Sequence, residues 1–164
     1  MLNLNTFNKK SEIMQQEINI LKKSRQLTLK VINNCTIEQL NKIPEGFKNS
    51  IAWNITHLVV TQQLLCYKLS GLECLISEEM INNFQKGTAP KYSLAVDEFD
   101  EIKKLFIDLP ETLEKGYSKG IFKKYFEYKT SVDITLNTIE DGIKFNNYHE
   151  GIHLGVILQL LKFI

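Results

Sequence analysis

Cysteine is scarce and unpatterned in this chain. Cys35, Cys66 and Cys74 are odd in number and show no C-x-x-C spacing, which argues against a disulfide framework or a zinc knuckle and leaves free thiols, buried or half-buried by the usual habit of cysteine. Long apolar runs are missing too: the greasy stretch from Ile152 is cut by Gln159 and Lys162, short of the roughly 18 to 20 residues a membrane span needs. No excess of one charge exists. The net charge is +1, and the pairs Lys9-Lys10, Lys22-Lys23, Lys103-Lys104 and Lys123-Lys124 each lie near acidic residues, so no basic stripe suits a phosphate backbone and nucleic acid is not an expected partner. Met1 to Lys10 is polar and asparagine-rich. It lacks the basic, apolar and small-residue succession of a secretory signal, so a cytoplasmic location with no membrane partner is expected.

What is present fits one globular domain over residues 1–164, with 43% hydrophobic and 24% charged residues. Met14, Ile18, Leu21, Thr28 and Ile32 recur at helical steps and predict an amphipathic helix over Ser11–Asn33. A single turn follows over Thr36–Asn41, opened by Thr36, and Pro44 and Gly46 make a connection. The next helix is expected from about Ser50 to Ser70, capped by Asn49 or Ser50 and stopped by Gly71; it is apolar nearly all round and so buried on most of its surface. Between Glu78 and Ser93 only a short helical stretch through Ile81 and Phe84 is expected. A third long helix is expected from a Ser93 cap to Gly116, with Pro110 kinking or interrupting its last turns. From Gly120 to Thr135 helix and strand signals conflict, which suggests an irregular crossover with a short hairpin, and a final helix is expected from about Leu136 to Phe163. Four long helices with two connections long enough to cross predict an all-α four-helix bundle.

The three histidines are the most informative residues. His149 and His153 stand four apart, one turn apart on one face of the last helix, and that face continues through Gly142, Phe145, Asn146, Val156 and Leu160 towards the core. His57 lies mid-helix between Trp53, Val60, Thr61 and Leu64 and should also point inward. A lone core histidine is ordinarily just hydrogen-bonded, but three on inward faces suggest one shared divalent metal with an open position. The string His149-Glu150-Gly151-Ile152-His153 also matches the H-E-x-x-H of zincin proteases. Zincins take their third ligand downstream, and Leu154–Ile164 offers no His, Asp, Glu or Cys, so the partner must come from upstream and proteolysis is disfavoured.

Asn49-Ser50-Ile51-Ala52-Trp53-Asn54-Ile55-Thr56-His57-Leu58 resembles the second-helix signature of DinB/YfiT-like proteins. His149-Glu150-Gly151-Ile152-His153-Leu154-Gly155 resembles their last-helix H-x-x-x-H followed by Leu-Gly. The likeness spans nearly the whole chain and implies a DinB/YfiT-like four-helix bundle with long crossover connections. It implies that His57, His149 and His153 bind a divalent ion, nickel or zinc, with water completing the shell. It also implies a thiol-dependent S-transferase-like or isomerase activity with a bacillithiol-like cosubstrate; a hydrolase activating water, and a non-catalytic metal- or ligand-binding bundle, stay open, as does a homodimer through exposed helix faces. One departure stands out: Lys162 occupies the region where an arginine often ends the family's last helix, which removes a substrate-anion contact. Glu150 is the nearest ionisable catalytic candidate, yet on a helix it turns about 100° away from His149, and the plainer reading is a solvated or inter-helix polar residue. Asn54, Thr61, Asn146 and Glu150 lie within a turn of the ligands and are candidates to orient them. Trp53 and Tyr148 are candidate pocket residues, Trp53 more simply as core.

Overall fold

The computed structural model describes residues 4–164, with side chains from Glu12 onward. Met1–Asn3, part of the stretch read as carrying no secretory signal, lie outside the described residues. The first helix, α1, runs over Leu4–Val31, starting before the apolar period that announces it, and buries Met14, Ile18 and Leu21. The turn α2 (Ile37–Asn41) is held by a reciprocal cap between Thr36 and Gln39. In α3 (Ile51–Gln62) the Ser50 hydroxyl accepts the Trp53 N–H at 3.1 Å, and every residue from Ile51 to Val60 is buried. The helix then widens into a π-helical turn, Gln63–Tyr67, tightens into a 3-10 turn, Lys68–Ser70, and stops at Gly71 with φ +70°.

The short α4 (Glu78–Phe84) starts at Ser77. The next helix, α5 (Val96–Ser118), is capped at Ala95 and not at Ser93. The reason is local: Leu94 is buried and both its backbone groups pair with the Asn41 amide, at 2.9 and 3.0 Å, so the chain stays extended past Ser93. Glu98 then accepts the Ala95 N–H. Pro110 does not end the helix, which continues to Ser118. The hairpin expected in the last connection is present as β1 (Tyr128–Lys129) against β2 (Thr135–Leu136). Because Leu136 is paired there, α6 starts later than expected, at Thr138, and spans Ile139–Leu160.

The fold is all-α but for that hairpin. The four long helices form a ring in the order α1, α6, α3, α5, each against two neighbours. Residues early in α1 and early in α6 share one apolar cluster with Leu113 of α5 and Cys66 and Tyr67 beyond α3; Ile32 shares the other with Ile51, Phe99 and Leu160. Hence α1 and α6 run one way and α3 and α5 the other. The connection 71–95 carries the chain back along the bundle, whereas 119–138 joins α5 to α6 at one end. Each fully buried Leu, Ile or Phe of these clusters contributes about 1.5–3 kcal/mol. Where α6 crosses the π-helical turn, a Cβ on Gly142 would stand 2.5 Å from Tyr125 Oη and 3.1 Å from the Leu65 carbonyl, so glycine there eases the close approach of the two histidine-bearing helices. Among the described residues no helix is long and apolar enough to cross a membrane.

Candidate metal centre

His57 projects from the middle of the buried α3, and His149 and His153 project from α6 one turn apart. The antiparallel contact of these helices brings them together: one ring nitrogen of each lies within 4.8 Å of the others, and among the described residues no other group of three or more His, Cys, Asp or Glu side chains converges in this way. His57 Nε2 is 3.3 Å from His149 Nε2. Two nitrogens held by one ion at about 2.0–2.1 Å with tetrahedral angles stand about 3.3 Å apart, so the spacing and the donor set fit a divalent transition metal.

Their orientation is set from behind. His57 Nδ1–H donates to the Phe84 carbonyl at 2.6 Å, and His153 Nδ1–H donates to Asn54 Oδ1 at 2.7 Å. A carbonyl only accepts, so the proton sits on Nδ1 and the lone pair on Nε2, facing the centre. The Asn54 amide is itself oriented by its Nδ2–H, which donates to the Ser50 carbonyl at 2.7 Å. Trp53 stacks on His57, centroids 4.7 Å apart and planes 10° from parallel. It is therefore both core and pocket wall. Of the four residues considered as orienting partners, Asn54 serves His153, while the Thr61 hydroxyl stands 3.3 Å from His57 Nε2, on the side facing the centre.

Asn146 and Glu150 belong elsewhere. Glu150 is buried and accepts from Arg25 Nη2 at 2.7 Å and Nε at 3.1 Å, with Asn146 at 3.5 Å. Its carboxylate faces α1 and does not line the pocket that holds the histidines. Arg25, the only arginine in the chain, also donates to the Phe106 carbonyl at 3.0 Å and the Leu58 carbonyl at 3.2 Å. The Phe106 carbonyl is the one that Pro110, lacking an N–H, cannot pair within the helix. Sequence reasoning missed this residue, although it fills a position that the apolar period of α1 would give to a hydrophobe: 14, 18, 21, 25, 28, 32.

Burial, then repulsion from the neighbouring imidazoles, lowers His149 to about 3; burial and then His57 lower His153 to about 4. Burial lowers His57 too, against its bond to Phe84. The rings are thus neutral, as ligands must be. Unfolded imidazoles titrate near 6.5, so as pH falls below about 6.5 the unfolded chain takes up protons that the folded chain refuses until about pH 4 to 3. The contribution to stability is complete above about pH 6.5 and is lost as pH falls through that window. Metal-free protein should accordingly show a melting temperature that declines between about pH 7 and 5, and His149→Gln/His153→Gln should flatten the decline. Equal slopes for both proteins would contradict this account.

The centre opens into a cavity of about 530 Å³ bounded by α3 and its extension, the turn after α4, the hairpin and α6. Its walls include Leu64, Leu65, Leu69 and Phe145, and no Asp or Glu lines it. Tyr148 is not part of it; that ring is exposed over a separate apolar hollow beside Val132 and Ile134. Lys162 lies outside as well, donating to Gln159. None of the three cysteines lines the cavity; burial pushes the Cys66 thiol up to about 12 and raises Cys35 and Cys74. The DinB superfamily matches residues 20–157 of the chain. No curated protein matches it.

Proposed function

This chain belongs to the DinB superfamily, and from that membership and the converging imidazoles we propose that His57, His149 and His153 bind one zinc or nickel ion at which a low-molecular-weight thiol is activated for S-transfer. The observation that carries the reading is the set of three neutral ring nitrogens within 4.8 Å, two of the rings held by hydrogen bonds on their far side. When bound, the ion supplies a Lewis acid that brings a thiol below its ordinary pKa of about 8.5 and makes a nucleophile at neutral pH. The chain's own residues do the rest. Phe84 and Asn54 fix the rings, Trp53 covers one side against water, and Leu64, Leu65 and Phe145 give an apolar bed for the substrate. Thr61 brings a hydroxyl to the inner edge of the centre, where it can accept or hand on a proton. No carboxylate lines the pocket, so deprotonation of whatever binds falls to the metal, and a thiol, the stronger acid of the two, asks less of it than water does.

The test is elemental analysis of protein reconstituted with zinc and with nickel, followed by conjugation of a reporter electrophile with several thiols, bacillithiol among them. About one equivalent of metal and a chelator-sensitive, thiol-dependent rate are expected. Less than about a tenth of an equivalent of either metal would end the metal reading. Full metal with no thiol-dependent rate would leave the non-catalytic metal-binding bundle in its place.

A further inference from the structure

The chain as a whole is balanced, with 20 basic and 19 acidic side chains, but the cavity in front of the histidines is not. Among the described residues that line it there is no Asp or Glu, and there are two lysines, Lys68 and Lys86. They reach it from separate elements: Lys68 from the 3-10 turn that ends the α3 extension, Lys86 from the turn just after α4. Both are exposed at the rim, and among the described residues neither is paired with a carboxylate. Along α3 and its extension the sequence runs His57, Thr61, Leu64 and Leu65, Lys68, and all five line the cavity. The wall therefore grades outward from imidazole and hydroxyl, through leucine, to ammonium. A ligand matching it has a reacting group at one end, an apolar middle and an anion at the other.

We infer that the pocket selects an amphipathic anion: a thiol or its acceptor with the reacting group at one end and a carboxylate at the other, the acid at the rim that carries Lys68 and Lys86 and the chain between against Leu64, Leu65 and Phe145. The inference rests on the metal reading above. An uncompensated cationic rim raises the local concentration of anions and penalises cations, by amounts that salt screens because the lysines are exposed.

The experiment uses full-length protein loaded with cobalt(II) as the spectroscopic metal and titrates it with three probes: 6-mercaptohexanoate, 6-mercaptohexan-1-ol and 6-aminohexane-1-thiol. The sulfur-to-cobalt charge-transfer band reads binding of each. The acid should bind about five- to twentyfold more tightly than the alcohol at low salt, the range two exposed ion pairs supply, and the amine should bind more weakly than the alcohol. In Lys68→Met/Lys86→Met, whose unchanged cobalt spectrum would show an intact centre, acid and alcohol should agree within about twofold. Equal affinities on the wild type would overturn the inference and leave the metal centre standing. An advantage of the acid that survives in the double variant would overturn it as well, by placing the anion's partner elsewhere. Absence of any cobalt spectrum would remove the metal reading, and this inference with it.

Discussion

Arg25→Met is expected to destabilise the fold by about 3–5 kcal/mol, because it leaves the Glu150 carboxylate buried without its partner. Arg25 and Glu150 are both essentially inaccessible to solvent, at 0% and 1%. The guanidinium also lies 4.5 Å over the Phe106 ring and supplies the hydrogen that Pro110 denies to the Phe106 carbonyl, so the substitution leaves that main-chain oxygen short of a donor as well. Urea unfolding followed by circular dichroism measures the loss. Removing both charges, Arg25→Met/Glu150→Leu, should recover most of it, since a buried pair exchanged for well-packed apolar groups is often near neutral. A single variant within about 1 kcal/mol of wild type would mean that Glu150, which burial already pushes up, takes a proton or meets water once its partner is gone. Leu58 adjoins His57 and Glu150 adjoins His149, so the same arginine holds α3 and α6 one residue away from two of the candidate ligands.

His149→Ala should bring metal retention after desalting below about a tenth of an equivalent, because two imidazoles and solvent seldom hold a transition metal against dilution. Thiol conjugation should fall to the rate of metal-free protein. Asn54→Ala is the informative contrast: all three imidazoles remain, but His153 loses the acceptor that fixes its ring, and affinity should fall about 10- to 100-fold. Competition against a chromogenic chelator measures both. Wild-type retention by His149→Ala would exclude that residue as a ligand, and an Asn54→Ala affinity equal to wild type would show that the 2.7 Å bond to His153 does not tune it.

The centre was legible in the sequence because it rests on helical period: two histidines four apart on an apolar face, and a third in a helix apolar on all sides, had to meet inside the bundle. The same geometry foretold that Glu150, one residue on from His149, would turn away. What it turns towards was hidden, since a charged residue in an otherwise apolar row reads as an interruption of the pattern, and nothing in the row itself says that Arg25 is sunk in the core. Asn54 stood among the candidates but could not be singled out, because the choice depends on how α3 is rotated against α6. The partner of His57 was out of reach altogether. A main-chain carbonyl from Phe84, on a connection remote in sequence, leaves no mark in residue type. Pro110 misled for a related reason: its cost to α5 is offset from another helix, by a donor that the local sequence does not contain.

The bond from His57 to Phe84 makes the long connection a participant in whatever the centre binds. The acceptor that fixes the His57 tautomer sits in the last residue of α4, immediately before the turn that brings Lys86 to the cavity. A shift of that turn withdraws the acceptor and frees the ring; by reciprocity, anything that binds at Nε2 and favours the Nδ1–H tautomer holds the turn in place with the same free energy. Loading the centre should therefore also steady the turn that carries Lys86.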